Sequence, residues 1–200
     1  MSTAAIRVGE KEADYVTELL CLAFYNDPIW SWAFPDPERR LAQYRIWWGL
    51  FVHSGLPRRW IWMTADGGAA ALWVPPNQPE LNEEDEARVE PLVRELVGAH
   101  ADDFMALLDR FEANHPHYAP HYYLSLLGTH PNHRGHGKGM ALLSENLKRI
   151  DEERLPAYLE SSNPANNQRY ERLGFVQVGE FSAPGGGPTA ACMWREPQGA

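Results

Sequence analysis

The chain has 200 residues, 44% of them hydrophobic, with 12% aromatic. That composition supports a folded core and excludes a disordered chain. Lys and Arg total 18 against 27 acidic residues, a formal net charge of -9, which disfavours nucleic acid and anionic membrane as main partners and suits a cationic substrate. Cys21 and Cys192 are too few for a disulfide framework and read as buried thiols. The N-terminus lacks a basic region followed by an apolar core, and no apolar run approaches the roughly 18 residues of a membrane span. The expectation is one domain over residues 1–200, soluble and cytoplasmic.

In chain order, Ile6 to Val8 reads as a first strand. Glu12 to Phe24 has Val16, Leu19, Leu20, Ala23 and Phe24 at helical spacing. Asn26 to Arg40, with three prolines and several aromatics, reads as a loop or broken helix, and Leu41 to His53 as a helix. Arg59 to Thr64 and Ala69 to Val74 are strands around the turn Asp66-Gly67-Gly68. Asn77 to Glu90 is a polar, acidic loop entering a helix. Helices follow at Glu90 to Gly98 and Ala101 to Asn114. Tyr122 to Thr129 is a central strand, with Gly128 as its expected bulge. Met140 to Ile150 is helical, Ala157 to Ser161 a strand, and Asn166 to Leu173 a short helix ended by Gly174. Val176 to Phe181 and Ala190 to Arg195 are the last strands. The order is mixed α+β, without the repetition of a doubly wound sheet.

Between the central strand and its helix lies Arg134-Gly135-His136-Gly137-Lys138-Gly139. Glycines let backbone approach a ligand, and the first N–H groups of a helix have no intrahelical partner. A strand, a Gly-rich turn and a helix N-terminus make an anion cradle, with charge added by Arg134, Lys138 and His136. The spacing fits neither the nucleoside-triphosphate loop, whose hydroxyl is missing at Met140, nor the dinucleotide fingerprint. His115, His117 and His121 match no usual zinc spacing, so no metal is expected.

Three elements in order carry a resemblance: Arg134 with Gly137 and Gly139, then Asn166, then Tyr170-Glu171-Arg172-Leu173-Gly174-Phe175. On these the chain resembles the GNAT superfamily of N-acetyltransferases. Its C-terminal third, Tyr123 to Arg195, is similar to the puromycin N-acetyltransferase group. The resemblance implies a mixed, mostly antiparallel sheet splayed between its fourth and fifth strands, with helices around it. It also implies acetyl-CoA as donor and an amine as acceptor.

Under that reading the cradle, Arg134 to Gly139, holds the pyrophosphate. Leu127, Gly128 and Thr129 offer backbone to the pantetheine, Asn166 its side-chain amide, and Tyr170 reaches the sulfur. Tyr170 would protonate the departing thiolate, and an N–H near Thr129 would polarise the thioester carbonyl. Glu160, on one strand face with Tyr158, is the candidate base. Trp30, Trp32 and Phe34, with Glu160, are expected to line the acceptor pocket. The acceptor is expected to be a small-molecule primary amine, such as an antibiotic or aminonucleoside, attacking directly in a ternary complex of a monomer or homodimer. The alternatives are a protein lysine or N-terminal acetyltransferase, and a non-catalytic CoA-binding regulatory module.

Overall fold

The computed structural model describes residues 4–199. Seven strands form one sheet: β1 (Ala5–Arg7), β2 (Ile61–Thr64), β3 (Ala69–Val74), β4 (Tyr122–Thr129), β5 (Ala157–Ser161), β6 (Val176–Ser182) and β7 (Thr189–Arg195), in the order β1-β2-β3-β4-β5-β7-β6. Among the described residues only the β4–β5 pairing is parallel. It holds for two residue pairs, Tyr122↔Ala157 and Tyr123↔Tyr158, and beyond them the strands part. This is the expected splay, and it leaves the far half of β4 with a free edge.

Helices cover both faces. They are α1 (Glu10–Phe24), α2 (Pro28–Ala33), α3 (Arg40–Gly55), α4 (Glu83–Glu86), α5 (Val89–Val97), α6 (Ala101–Asn114), α7 (Lys138–Glu152) and α8 (Asn167–Glu171). One face carries a core built on Val16, Leu20, Trp47, Trp48 and Phe104; the other packs Trp62, Trp73, Leu142, Leu147 and Phe175. The segment from Asn26 to Arg40 is a broken helix rather than a plain loop. Asp27 accepts from the Ile29 and Trp30 amides at 3.1 and 3.2 Å, and Pro28 needs no N–H in the first turn, so both residues favour a helix start.

The bulge in β4 falls at Ser125, not at Gly128. Gly128 pairs in register with Ala70, whereas Leu72↔Leu126 and Trp73↔Leu124 leave Ser125 as the extra residue. One unpaired residue reverses side-chain alternation. Leu124 therefore packs in the core beneath α7, and Leu126 in the opposite core beneath α1. Gly128 has a different cause. A Cβ there would lie 2.9 Å from both the Ala23 Cβ and the Leu20 side chain, so glycine is what lets α1 press against β4.

Candidate active site

Gly137 caps α7 with φ +69°, in the left-handed region that glycine adopts without steric cost. The backbone amides from Gly135 to Met140 meet no hydrogen-bond acceptor among the described residues. A run of free N–H groups at a helix N-terminus is the arrangement that holds a phosphate. These amides open on a cavity of about 620 Å³, also lined by Leu127, Gly128, Thr129, Asn166 and Tyr170. The expected pyrophosphate and pantetheine residues thus share one hollow that runs from the α7 N-terminus along the free edge of β4.

Three side chains of the cradle have partners of their own, although Arg134 and Lys138 also line the hollow. Lys138 Nζ turns back to Asp66 Oδ2 at 2.6 Å and is only 17% exposed. That hydrogen bond, reinforced by Thr64, holds the Asp66 carboxyl well below the usual carboxylate range. Arg134 donates to the Ala23 carbonyl at 2.9 Å. The His136 ring folds onto the Arg134 carbonyl, and His136 stands outside the cavity wall. The hollow therefore presents backbone amides first and cationic side chains second.

Tyr170 reaches the hollow because of the motif that follows it. Its carbonyl accepts the Leu173 and Phe175 amides at 2.9 and 3.3 Å, and Gly174 turns at φ +91°. Phe175 is buried in the core, which fixes the turn. Burial pushes the Tyr170 hydroxyl up to about 12, so it stays protonated at neutral pH. Asn166 also lines the hollow, its side-chain oxygen accepting from Arg169 at 2.9 Å. Asn163 is a cap, accepting the Ala165 amide.

A narrow neck of about 50 Å³ continues past Tyr170 and Asn166 to Ser125, Tyr123 and Glu160. Asp27 lines both the hollow and the neck. It accepts from the Ser162 hydroxyl at 2.7 Å, tying α2 to the end of β5. No sequence motif marked Asp27; an Asp-Pro pair preceding an apolar run was the available signal. Burial raises its pKa, against the opposing hydrogen bonds from Ser162 and the two cap amides.

On the other side of the neck lies a second cavity of about 1110 Å³, which shares Tyr123, Phe111 and Glu160 with it. Its wall includes Glu80, Glu112 and Asp109 and contains no Lys or Arg. The Glu160 side chain is 2% exposed and faces His115 Nδ1 at 3.7 Å. Burial, then the Glu160 charge, pushes the Tyr123 and Tyr158 hydroxyls up. Burial likewise raises Glu80 to about 7.

The three aromatics expected at the acceptor pocket separate. Trp30 lines the neck. Phe34 is fully buried among Tyr44, Trp47 and Phe104 and serves the core. Trp32 packs edge-on against His100, away from all three hollows. The aromatic wall comes instead from Trp47, Phe51, Phe111 and Tyr118, contributed by α3, α6 and the loop after α6, which only the tertiary fold brings together.

Known proteins share this fold. A solved acetyltransferase from Corynebacterium glutamicum, described as histone acetyltransferase HPA2 and related acetyltransferase, is 25% identical, with a TM-score of 0.70 over 100% of this chain and 99% of that one. Arylalkylamine N-acetyltransferase 2 from Aedes aegypti is 13% identical, with a TM-score of 0.66 over 98% and 99%. The polyamine N-acetyltransferase of Drosophila melanogaster, an enzyme that forms N-acetylagmatine, is 16% identical with a TM-score of 0.65 over 96% and 99%. The last two show a shared fold. Residues 21–175 match the acetyltransferase (GNAT) family model, and with the splayed sheet, the free amides at α7 and the Tyr170 turn all falling inside that span, the chain belongs to the GNAT family of acetyltransferases.

Proposed function

We propose that this protein moves the acetyl group of acetyl-CoA to the primary amine of a small molecule by direct attack. The observation that carries this is the neck: Tyr170 and Glu160 stand where a hollow suited to CoA meets a second, acid-walled cavity. The free amides of residues 135–140 would hold the pyrophosphate, and the open edge of β4 at Leu127 to Thr129 the pantetheine. Bound there, acetyl-CoA supplies an activated acyl group on a thiol of ordinary pKa about 8.5. Glu160 takes the proton of the incoming ammonium. Tyr170, held protonated by burial, donates to the departing sulfur. Binding donor and acceptor on either side of one neck converts a bimolecular step into a local one.

The acid wall favours a cationic acceptor. Neighbours of similar fold are named for agmatine, polyamine and arylalkylamine substrates. The likeness of Tyr123 to Arg195 to the puromycin group makes an aminonucleoside a first compound to assay. The Corynebacterium neighbour's name favours a second reading, acetylation of a protein amine. A thiol-release assay over small amines and histone-type peptides separates the two. Tyr170→Phe is expected to lower kcat about 10²-fold while leaving the KM for acetyl-CoA unchanged. An unaltered kcat would remove Tyr170 from the mechanism.

A further inference from the structure

Glu160 poses a problem as a base: its side chain is 2% exposed, and its Oε1 has no hydrogen-bond partner among the described residues. Each turnover would leave a proton on it that must be returned to solvent. Of the groups facing it, Tyr123 and Tyr158 have hydroxyls that burial keeps protonated. The Cys192 thiol is raised in the same way, and Glu80 is another carboxyl. Of the two histidines nearby, His121 feels the Glu160 charge, but His115 is the one that meets the carboxylate; its ring lies edge-on to Tyr123 and Tyr158 at centroid distances of 4.8 and 5.1 Å.

We propose that His115 carries the acceptor's proton from Glu160 to solvent, and that His121 fixes the tautomer that allows it. The proposal rests on Glu160 acting as the base in the transfer described above. The hydrogen bonds set the direction. His121 Nδ1 lies 2.8 Å from the Ala119 carbonyl, which only accepts, so Nδ1 carries the hydrogen and Nε2 a lone pair. Burial lowers the His121 pKa, keeping that lone pair available. His115 Nε2 lies 3.2 Å from His121 Nε2 and must therefore donate to it. The neutral His115 ring is left with its lone pair on Nδ1, 3.7 Å from Glu160 Oε1. A small rotamer shift or one water closes that distance.

The step balances. The amine N–H bond breaks and a Glu160 O–H bond forms. That O–H then breaks as His115 Nδ1–H forms, giving an imidazolium beside a carboxylate. The Nδ1–H then breaks as water reaching the 23% exposed ring takes that proton, which restores the Nδ1 lone pair and keeps Nε2–H on His121. His117, itself 69% exposed and 3.5 Å from Glu112, continues the path outward at a ring distance of 5.8 Å from His115.

The test is buffer rescue with the full-length chain. In dilute, weakly basic buffer, His115→Gln should lower kcat roughly tenfold or more without changing the KM for acetyl-CoA. Added imidazole should restore the rate, whereas the native enzyme should not respond. A purely structural loss would not be rescued, and that result, or an undiminished rate, would overturn the relay. A second measurement needs no folded histidine variant and no turnover. The His115 ring is titrated by NMR in the native protein and in Glu160→Gln. The midpoint should fall when the carboxylate is neutralised, and an unmoved midpoint would exclude proton coupling. If the native chain acetylated no amine at all, the transfer reading would fail, and the titration alone would decide whether these groups share a proton.

Discussion

Gly137 shows how one residue shapes the cradle. Its φ of +69° aims the following amides outward, and the space around its α-carbon is open. A side chain there meets backbone strain and would also fill the mouth of the cradle. Gly137→Val is expected to weaken CoA binding about tenfold or more in calorimetry, with a stability loss of only about 1 kcal/mol. Undisturbed CoA affinity would show that the amides of this turn do not hold the phosphates. The turn was legible in the sequence because its signal is local: three alternating glycines between a strand and a helix. The Lys138 contact was not legible, for the opposite reason. Its partner Asp66 lies in the β2–β3 turn, and no spacing rule reports a contact across that stretch of chain. Phe34 likewise sits in a proline-rich segment that reads as loop, yet α2 drives it into the core.

At the scale of elements, β4 combines a bulge, a free edge and a helix pressed upon it. The β-rich run and its Gly were readable, but the bulge depends on the register with β3, which fixes Ser125 rather than Gly128 as the unpaired residue. Gly128 is instead a contact point, where a Cβ would fall 2.9 Å from Ala23 and Leu20. Gly128→Ala should therefore displace α1, destabilising the fold by about 1–3 kcal/mol in urea unfolding. Stability equal to the native chain would mean that α1 yields freely. The short α2 helix was half legible. Asp27-Pro28 announces a helix start, but the role of Asp27 in gripping Ser162 at the end of β5 is set by long-range packing.

For the whole molecule, the acid wall makes stability depend on pH. Glu80 has its carboxyl raised from 4.5 to about 7, chiefly by burial. A carboxyl raised on folding favours its protonated form in the folded state. Its contribution is therefore complete below about pH 4.5 and is lost as the pH rises through 7. Glu80→Gln should match the native chain near pH 4 and exceed it at pH 8 by on the order of 2 kcal/mol, read from denaturant midpoints. A difference independent of pH would mean that Glu80 ionises as freely as in the unfolded chain.

The 50 Å³ neck has a consequence for inhibitors. Under the proposed reading donor and acceptor occupy hollows on opposite sides of it, so the two molecules would arrive by different mouths and neither would obstruct the other. A conjugate that joins them covalently enters by one mouth and must thread one of its ends through the constriction. Its nucleotide end is far larger than the passage, so the amine end has to lead. Such conjugates should show slow-onset inhibition whose association rate falls as that leading end becomes bulkier, even where their final affinity is high. Their tightness would be governed by both hollows, and their speed by the breathing of Trp30, Tyr123 and Tyr170 around the gap.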